Sequence, residues 1–193
     1  MKVLSVNLGP VTEVGHGTRR VPSAFIKRPV DRAIAVDSLG LAGDAQGNRE
    51  VHGGERQALY VYPHEHYAFW RQRLARDQLS AGAFAENLTT EGWLETDTRP
   101  GDILRIGSTE VEVTRPRFPC FKLGLAFDRP TIEREFLESC RTGFYLAVRE
   151  PGKIGPGDPI TPLHRARSGL TIAEIAEEKL RASRSSDPAE SSE

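Results

Sequence analysis

The sequence is poor in the features that mark several large classes of protein. Its 193 residues include only two cysteines, Cys120 and Cys140, too few for a disulfide framework and in keeping with a reducing compartment. No apolar run approaches the ~20 residues that a membrane-spanning helix needs. The 26 Lys and Arg residues are balanced by 27 Asp and Glu residues, so there is no basic excess to grip a nucleic-acid backbone. We therefore expect a cytoplasmic protein with neither a membrane nor a nucleic acid as partner.

Several familiar cofactor motifs are missing as well. The chain contains no Gly-x-x-x-x-Gly-Lys-[Ser/Thr] loop, no Gly-x-Gly-x-x-Gly after a strand, no Cys-x-x-Cys and no Gly-x-Ser-x-Gly elbow. The sequence thus shows no site for ATP, a nicotinamide, a flavin or an iron–sulfur cluster. Redox chemistry in this chain would need another cofactor and an external source of electrons.

What is present favours a β-rich α+β domain with a bent sheet or a partly closed barrel. Short, β-branched segments bounded by Gly, Pro or Asp predict strands at 3–8, 24–30, 34–36, 58–62, 103–106, 111–113 and 144–148. Helices are predicted from Pro63, over 131–140 and from a capping box at Thr171. We expect one domain over 1–165, a short helical region over 166–181 and a disordered tail over 182–193.

Cys120 stands in the first segment that could carry chemistry. It follows two prolines and lies among cations, including Arg115, Arg117 and Lys122. Nearby cations favour the thiolate, which can bind a soft metal, attack an electrophile or carry sulfur. A buried structural cysteine beside a solvated basic strand is the other interpretation. Cys140 lies at the end of a predicted apolar helix face, where we expect it to pack in the core.

Three further segments admit both a functional and a structural interpretation. The run His52-Gly53-Gly54 can present backbone N–H groups to a ligand beside a histidine, or form a tight turn. The cations around Lys27 and Arg28 can hold a phosphate, or form a solvated face. Glu86 and Asn87 lie in an apolar context, where they can contact a ligand or tie a loop.

Taken in order, these segments resemble the MOSC domain family, and within it the YiiM-like bacterial branch. The resemblance runs from about residue 1 to residue 163. It is carried by FIKRPV at 25–30, GLAGD at 40–44, VHGGERQA at 51–58, YPHEHY at 62–67, GAFAENL at 82–88, RPRFPCFKL at 115–123 and RTGFY at 141–145.

The resemblance implies a β-rich, barrel-like fold that binds the molybdenum cofactor, molybdopterin. Cys120 corresponds to the family's cysteine and is expected to ligate molybdenum or carry sulfur, with His52 as a second catalytic residue. The cofactor-binding residues expected from the matching motifs are Lys27, Arg28, Gly53, Gly54, Glu86, Asn87, Arg115 and Lys122. Because Lys27 and Arg28 are adjacent in an extended segment, we expect only one of them to share a pocket with Arg115.

Three departures from the family pattern stand out. Asn48 stands where the YiiM-like branch often has Asp, which removes a possible charge near the site. Ala85 replaces a glycine of the family motif, which requires either a negative φ there or local strain. The helical region after residue 165 is also shorter than the three-helix end that is common in this branch.

The resemblance implies a reductase of N-hydroxylated compounds, such as hydroxylaminopurines, that takes its electrons from a partner reductase. Two alternatives stay open from the sequence. One is a sulfur carrier with a persulfide on Cys120, and the other is a non-catalytic protein that binds the molybdenum cofactor.

Overall fold

A computed structural model describes residues 1–16, 19–45 and 54–185. Its main element is a sheet of eight strands in the order β13-β9-β10-β11-β7-β8-β1-β4. These strands are β1 (Lys2–Leu8), β4 (Arg28–Val30), β7 (Leu59–Pro63), β8 (Leu88–Glu91), β9 (Ile103–Ile106), β10 (Thr109–Pro116), β11 (Phe144–Glu150) and β13 (Ile160–His164). The pairs are antiparallel except for β7 and β8, which run parallel. The expected β-rich α+β class is confirmed.

The large sheet is curled but is not a closed barrel. The beginning of β1 meets the residues just before β13 through an isolated bridge between Lys2 and Pro159. Backbone hydrogen bonds support this junction, from Val3 N–H to the Asp158 carbonyl at 2.9 Å and from the Ile160 N–H to the Met1 carbonyl at 3.0 Å. A few contacts therefore hold the two sides together where a barrel would have a full ladder.

Smaller elements surround this sheet. Strands β12 (Gly152–Ile154), β5 (Ile34–Asp37) and β6 (Gly40–Leu41) form one small sheet, and β2 (Thr12–His16) pairs with β3 (Arg19–Ser23). The helices are α1 (His66–Arg73), α2 (Phe121–Phe127), α3 (Ile132–Glu138) and α4 (Ile172–Ser185), with 3-10 turns at Glu55–Gln57 and Glu95–Asp97. None of the helices within the described ranges has the length and apolar character to cross a membrane.

Strand β7 separates two hydrophobic cores. Leu59 and Val61 point into a core inside the curl of the sheet that is mostly aliphatic and that we call the aliphatic core. Tyr60 and Tyr62, which alternate with them, belong to an aromatic core that helices α1, α2 and α3 cover. Because successive side chains point to opposite faces of a strand, an all-apolar strand is expected wherever both faces are covered. The aromatic core borders the candidate site described below.

An ion cluster on α3 joins that helix to α1. The Glu135 carboxylate is nearly buried and accepts hydrogen bonds from Arg73 at 2.7 Å and from Arg129 at 2.8 Å. Burial by itself raises the pKa of Glu135, but the hydrogen bonds from Arg129, Thr131 and Arg73 lower it to about 2.

Some helix predictions need correction. Pro63 closes β7, and α1 begins three residues later at His66, because the Pro63 segment continues the parallel ladder to β8. Helix α2 was not predicted, since its seven residues follow two prolines and form part of a run that reads as an extended segment. The capping box is confirmed, as Thr171 Oγ1 accepts the Glu174 N–H at 3.2 Å while the Glu174 carboxylate accepts the Thr171 N–H at 2.7 Å.

The C-terminal helix is longer than the sequence suggested. Helix α4 continues to Ser185, so residues 182–185 are helical where we expected the disordered tail to begin. Residues 186–193 lie outside the described ranges. The proposed domain boundary at residue 165 stays a prediction.

Candidate active site

A cavity of about 140 Å³ opens at the end of the large sheet, next to the aromatic core. Its polar and charged lining includes Lys27, Asp44, Asn87, Arg117, Cys120, Lys122 and Tyr145. We call it the Cys120 cavity. Its volume is below the roughly 300–1,000 Å³ of typical small-molecule pockets, so only part of a larger ligand would fit inside it.

Cys120 reaches this cavity because it is the N-cap of helix α2. Its backbone is extended, with φ −134° and ψ 166°, and its carbonyl accepts the Leu123 N–H at 2.9 Å. The preceding Pro119 ends the extended segment, and the helix begins one residue after the cysteine. The thiol is half-buried and unpaired with any other cysteine.

Cys140 lies elsewhere and in a different setting from the one expected. Helix α3 ends at Glu138, and Cys140 follows with a left-handed φ of 52°, so it is outside the helix and half-buried. Its Sγ lies 3.7 Å from the Leu137 carbonyl oxygen, and burial raises the pKa of its thiol. The sequence pattern overestimated this helix because the αL turn before Gly143 ends it early.

Lys27 and Asp44 form a nearly buried ion pair in the cavity wall. Lys27 Nζ lies 2.5 Å from both carboxylate oxygens, and the two side chains are only 6% and 9% exposed. Burial lowers the pKa of Lys27, and the negative charge of Asp44 opposes that shift. Asp44 also accepts the Gly9 N–H at 3.0 Å and the Asn87 side-chain amide at 2.7 Å.

Arg117 is the most unusual cation of the site. It is 5% exposed, and its guanidinium carbon lies 5.3 Å from the Tyr60 ring centre and 5.2 Å from that of Phe136. Its Nη1 is buried and has no hydrogen-bond partner within residues 1–16, 19–45 and 54–185. A buried, always-charged donor without an acceptor is costly, and an anionic ligand beside it would remove that cost.

The predicted basic residues divide between the cavity and the surface. Lys27 and Lys122 line the cavity, whereas Arg28 and Arg115 do not. Arg28 is exposed in β4, and Arg115 is exposed with its guanidinium 5.9 Å from the Tyr145 ring centre. The expected asymmetry between the adjacent Lys27 and Arg28 is present, with the lysine inside.

The cavity arginine is Arg117 and not Arg115, and the backbone explains the difference. The register of β10 against β11 shifts between Val113 and Arg115. The chain then turns inward past Pro116, where the Arg117 N–H donates to the Gly143 carbonyl at 3.3 Å. Arg117 stands in the same sequence motif, but no local signal shows that its side chain is buried.

Glu86 acts on the loop and not on the cavity. It is fully buried, and its carboxylate accepts hydrogen bonds from the Gly82 N–H at 2.8 Å, the Phe84 N–H at 3.0 Å and the Tyr67 hydroxyl. Burial raises the pKa of Glu86, while the hydrogen bonds from Tyr67 and from backbone N–H groups oppose that rise. The geometry fits the interpretation that this side chain ties the loop.

Asn87, in contrast, lines the cavity and connects its parts. Its Oδ1 accepts the Tyr60 N–H at 3.0 Å, and its Nδ2 donates to Asp44. Asn87 thus orients Asp44, which in turn holds the Lys27 ammonium. Asp44 stood within a matching motif, but only the fold shows that it pairs with Lys27.

Ala85 has a φ of +67°, so its departure from the family's glycine is accommodated by strain. Gly54 has a φ of +83° and caps the 3-10 turn at Glu55–Gln57, where its carbonyl accepts the Gln57 N–H at 2.9 Å. The predicted site residues His52 and Gly53 lie outside the described ranges.

Comparisons with known proteins identify the family to which the chain is similar. A family model of the MOSC domain matches residues 48–161. The chain is 36% identical over 170 residues to the uncharacterized protein YflK of Bacillus subtilis, covering 88% of this chain and 76% of YflK. It is 38% identical over 157 residues to the protein YiiM of Escherichia coli, covering 80% and 70%. A protein named Reductase from Gibberella moniliformis is 31% identical over 166 residues, which cover 84% of this chain but 29% of that protein.

Solved structures give the same result at the level of the fold. YiiM from Geobacillus stearothermophilus superposes with a TM-score of 0.77 at 32% identity, covering 94% of this chain and 84% of that one. YiiM from Escherichia coli superposes with a TM-score of 0.70 at 31% identity, covering 89% and 79%. These neighbours support the YiiM-like branch that the motifs indicated.

Proposed function

Because this chain belongs to the MOSC domain family, we propose that it binds the molybdenum cofactor at the Cys120 cavity and reduces N-hydroxylated compounds, such as hydroxylaminopurines. The observation that carries the proposal is the combination of one accessible thiol with a buried arginine whose Nη1 has no partner within the described ranges. The relatives named YiiM and Reductase support the same direction.

The donor set of the cavity fits a cofactor that carries a phosphate and a thiophilic metal. Arg117 and Lys122 are cations without a carboxylate partner among the described ion pairs, while Lys27 is balanced by Asp44. The wall is therefore positive in charge, which suits an anionic group. Cys120 adds the soft ligand that a metal such as molybdenum accepts from a protein.

Each cavity residue has a distinct task in this proposal. Arg117 and Lys122 would hold the anionic part of the cofactor. Lys27 would contribute a further N–H donor, which Asp44 holds in position. Cys120 would ligate the metal. When bound, the cofactor supplies a redox centre that exchanges two electrons with the substrate. A partner reductase would deliver these electrons, since the chain carries no flavin or nicotinamide motif.

The chemistry asks for proton donors as well as electrons. Converting R–NHOH into R–NH₂ and water consumes two electrons and two protons. The cavity wall holds side chains with exchangeable protons, among them Cys120, Lys122 and Tyr145, which would be the sources of these protons. The protein therefore binds, orients and protonates, while the cofactor handles the electrons.

The test begins with the metal. Wild-type protein, purified gently, and the Cys120→Ser and Cys140→Ser variants are analysed for molybdenum and pterin and then assayed on a hydroxylaminopurine with a reduced viologen dye. We expect wild type and Cys140→Ser to contain the cofactor and turn over, and Cys120→Ser to lose turnover.

The other outcomes identify the alternatives. Cofactor without turnover in wild type would indicate a cofactor-binding protein that is not this reductase. Protein that contains no molybdenum but forms a persulfide on Cys120, detected by mass spectrometry, would indicate a sulfur carrier. Normal turnover in Cys120→Ser would refute the role given to the thiol.

A further inference from the structure

Tyr145 places a phenol side chain in the wall of the Cys120 cavity. It lies in β11 between Phe144 and Leu146, whose side chains fill the aliphatic core on the inner side of the sheet. The alternation along the strand therefore directs Tyr145 to the opposite side, where it lines the cavity. Its ring centre lies 5.4 Å from that of Tyr60, so the ring is supported from within the protein.

The four tyrosines of the chain differ in what their hydroxyl groups do. Tyr60 donates to the Thr142 carbonyl at 2.8 Å, Tyr62 donates to the Arg141 carbonyl at 3.1 Å, and Tyr67 donates to the Glu86 carboxylate. Tyr145 donates to no acceptor within the part of the chain that the structure describes. Among the four tyrosines, Tyr145 is therefore the one whose proton has no acceptor in the described residues and can be offered to a ligand.

Cations surround the Tyr145 ring. Arg117 interacts with its hydroxyl from the buried side, and the Arg115 guanidinium lies 5.9 Å from its ring centre on the exposed side. Burial raises the pKa of Tyr145, which keeps the phenol protonated near neutral pH, while the charge of Arg117 opposes that rise. The same charge would stabilise the tyrosinate that forms when the proton leaves.

We propose that Tyr145 is the catalytic proton donor to the hydroxyl oxygen of an N-hydroxylated substrate. The inference rests on the proposed reductase function and assigns a residue to its protonation step. In that step the Tyr145 O–H bond breaks, the proton passes to the substrate oxygen, the N–O bond breaks and water leaves. The external reductant supplies two electrons, and a second proton from solvent completes the amine. Solvent then reprotonates the tyrosinate.

Lys122 is the competing source of a proton, because it lines the same cavity and carries an ammonium group. The two residues make different predictions. A lysine that holds an anion affects cofactor content when it is replaced, whereas a tyrosine that donates a proton affects turnover at unchanged content. Comparing Tyr145→Phe with Lys122→Met therefore separates proton transfer from ligand binding.

The experiment uses the cofactor-loaded protein with a reduced viologen dye and two substrates. One is a hydroxylamine, R–NHOH, and the other is its O-acetyl ester, whose acetate leaving group departs without being protonated. For Tyr145→Phe we expect unchanged molybdenum and pterin content and a fall in kcat of about 100-fold with the hydroxylamine. With the ester, kcat should return to within about threefold of wild type.

Tyr62→Phe is the matched control, since it removes a tyrosine hydroxyl from the core and not from the cavity. It should lower the melting temperature, because Trp70 Nε1 loses its acceptor at 2.6 Å, and should keep kcat for both substrates. Undiminished kcat in Tyr145→Phe with the hydroxylamine overturns the inference alone. An equal loss with both substrates overturns it too, since the loss would then not lie in protonating the leaving group. A wild-type protein without turnover overturns the proposed function and this inference together.

Discussion

Arg117 and Arg115 offer a sharp test of how the cavity is charged, because they are two residues apart and differ in burial. Arg117 is 5% exposed and its Nη1 has no partner among the described residues, whereas Arg115 is exposed beside Tyr145. Replacing each by methionine keeps a long, flexible side chain and removes the charge. We expect Arg117→Met to lose cofactor binding, and Arg115→Met to keep it.

The magnitude follows from the geometry of Arg117. Losing one charge-assisted hydrogen bond in a partly dry site costs about 1.5–3 kcal/mol, or roughly 10- to 150-fold in cofactor affinity. Stability should move little in the absence of cofactor. The variant loses cation–π contacts to Tyr60 and Phe136 worth ~0.5–2 kcal/mol each. It also removes an unsatisfied buried donor that costs ~1–3 kcal/mol, so the terms nearly cancel.

The assay combines two measurements on the same samples. Molybdenum and pterin content report binding, and thermal unfolding of the cofactor-free proteins reports stability. Arg117→Met should lose most of its cofactor while its cofactor-free melting temperature stays within a few degrees of wild type. Equal cofactor content in both variants would refute the reasoning, as would a loss of cofactor that merely follows a large loss of stability.

Three further predictions concern backbone strain, the cavity lysine and the response to acid. Ala85→Gly relieves a left-handed conformation that costs ~1–2 kcal/mol, partly offset by the extra entropy of glycine when unfolded, so chemical denaturation should show a gain of about 0.5–1 kcal/mol; a loss would contradict the strain. Lys27→Ala should strongly lower molybdenum content and also destabilise the protein by leaving Asp44 unpaired, whereas Arg28→Ala should do neither, as metal analysis and melting curves of both variants would show. The pKa of Glu135 is about 2 in the folded protein and 4.5 ordinarily, so its stabilising effect is complete above about pH 4.5 and is lost as the pH falls toward 2. Glu135→Gln should therefore flatten the unfolding free energy over this range by about 1–3 kcal/mol, and an unchanged acid limb would contradict the assignment.

Much of the fold could be predicted because its signals are local. Two apolar segments on either side of Gly107-Ser108 predict the hairpin of β9 and β10. Thr171 and Glu174 predict the capping box of α4. Helix α2 was not predicted, because seven residues after two prolines are too few to show the hydrophobic periodicity of a helix. Its stability comes from tertiary packing of Leu123 and Phe127 in the aromatic core.

By itself, the sequence determined the β-rich class, the segments of six of the eight strands of the large sheet, the family resemblance and the choice of Cys120 as the candidate reactive cysteine. Residue type and spacing encode these features locally, whereas the order of the strands in the sheet and strands β8 and β13 came only from the structure. It also determined that the side chains of Lys27 and Arg28 would diverge, since neighbours on an extended chain point to opposite sides. Only the tertiary structure decided which of them faces the cavity, that Arg117 and not Arg115 lines it, and that Asp44 pairs with Lys27. Those outcomes depend on a register shift, on an inward turn past Pro116 and on contacts between residues far apart in the chain. Whether a charged side chain is buried depends on the packing of residues from several distant segments, and no single segment of sequence carries that information.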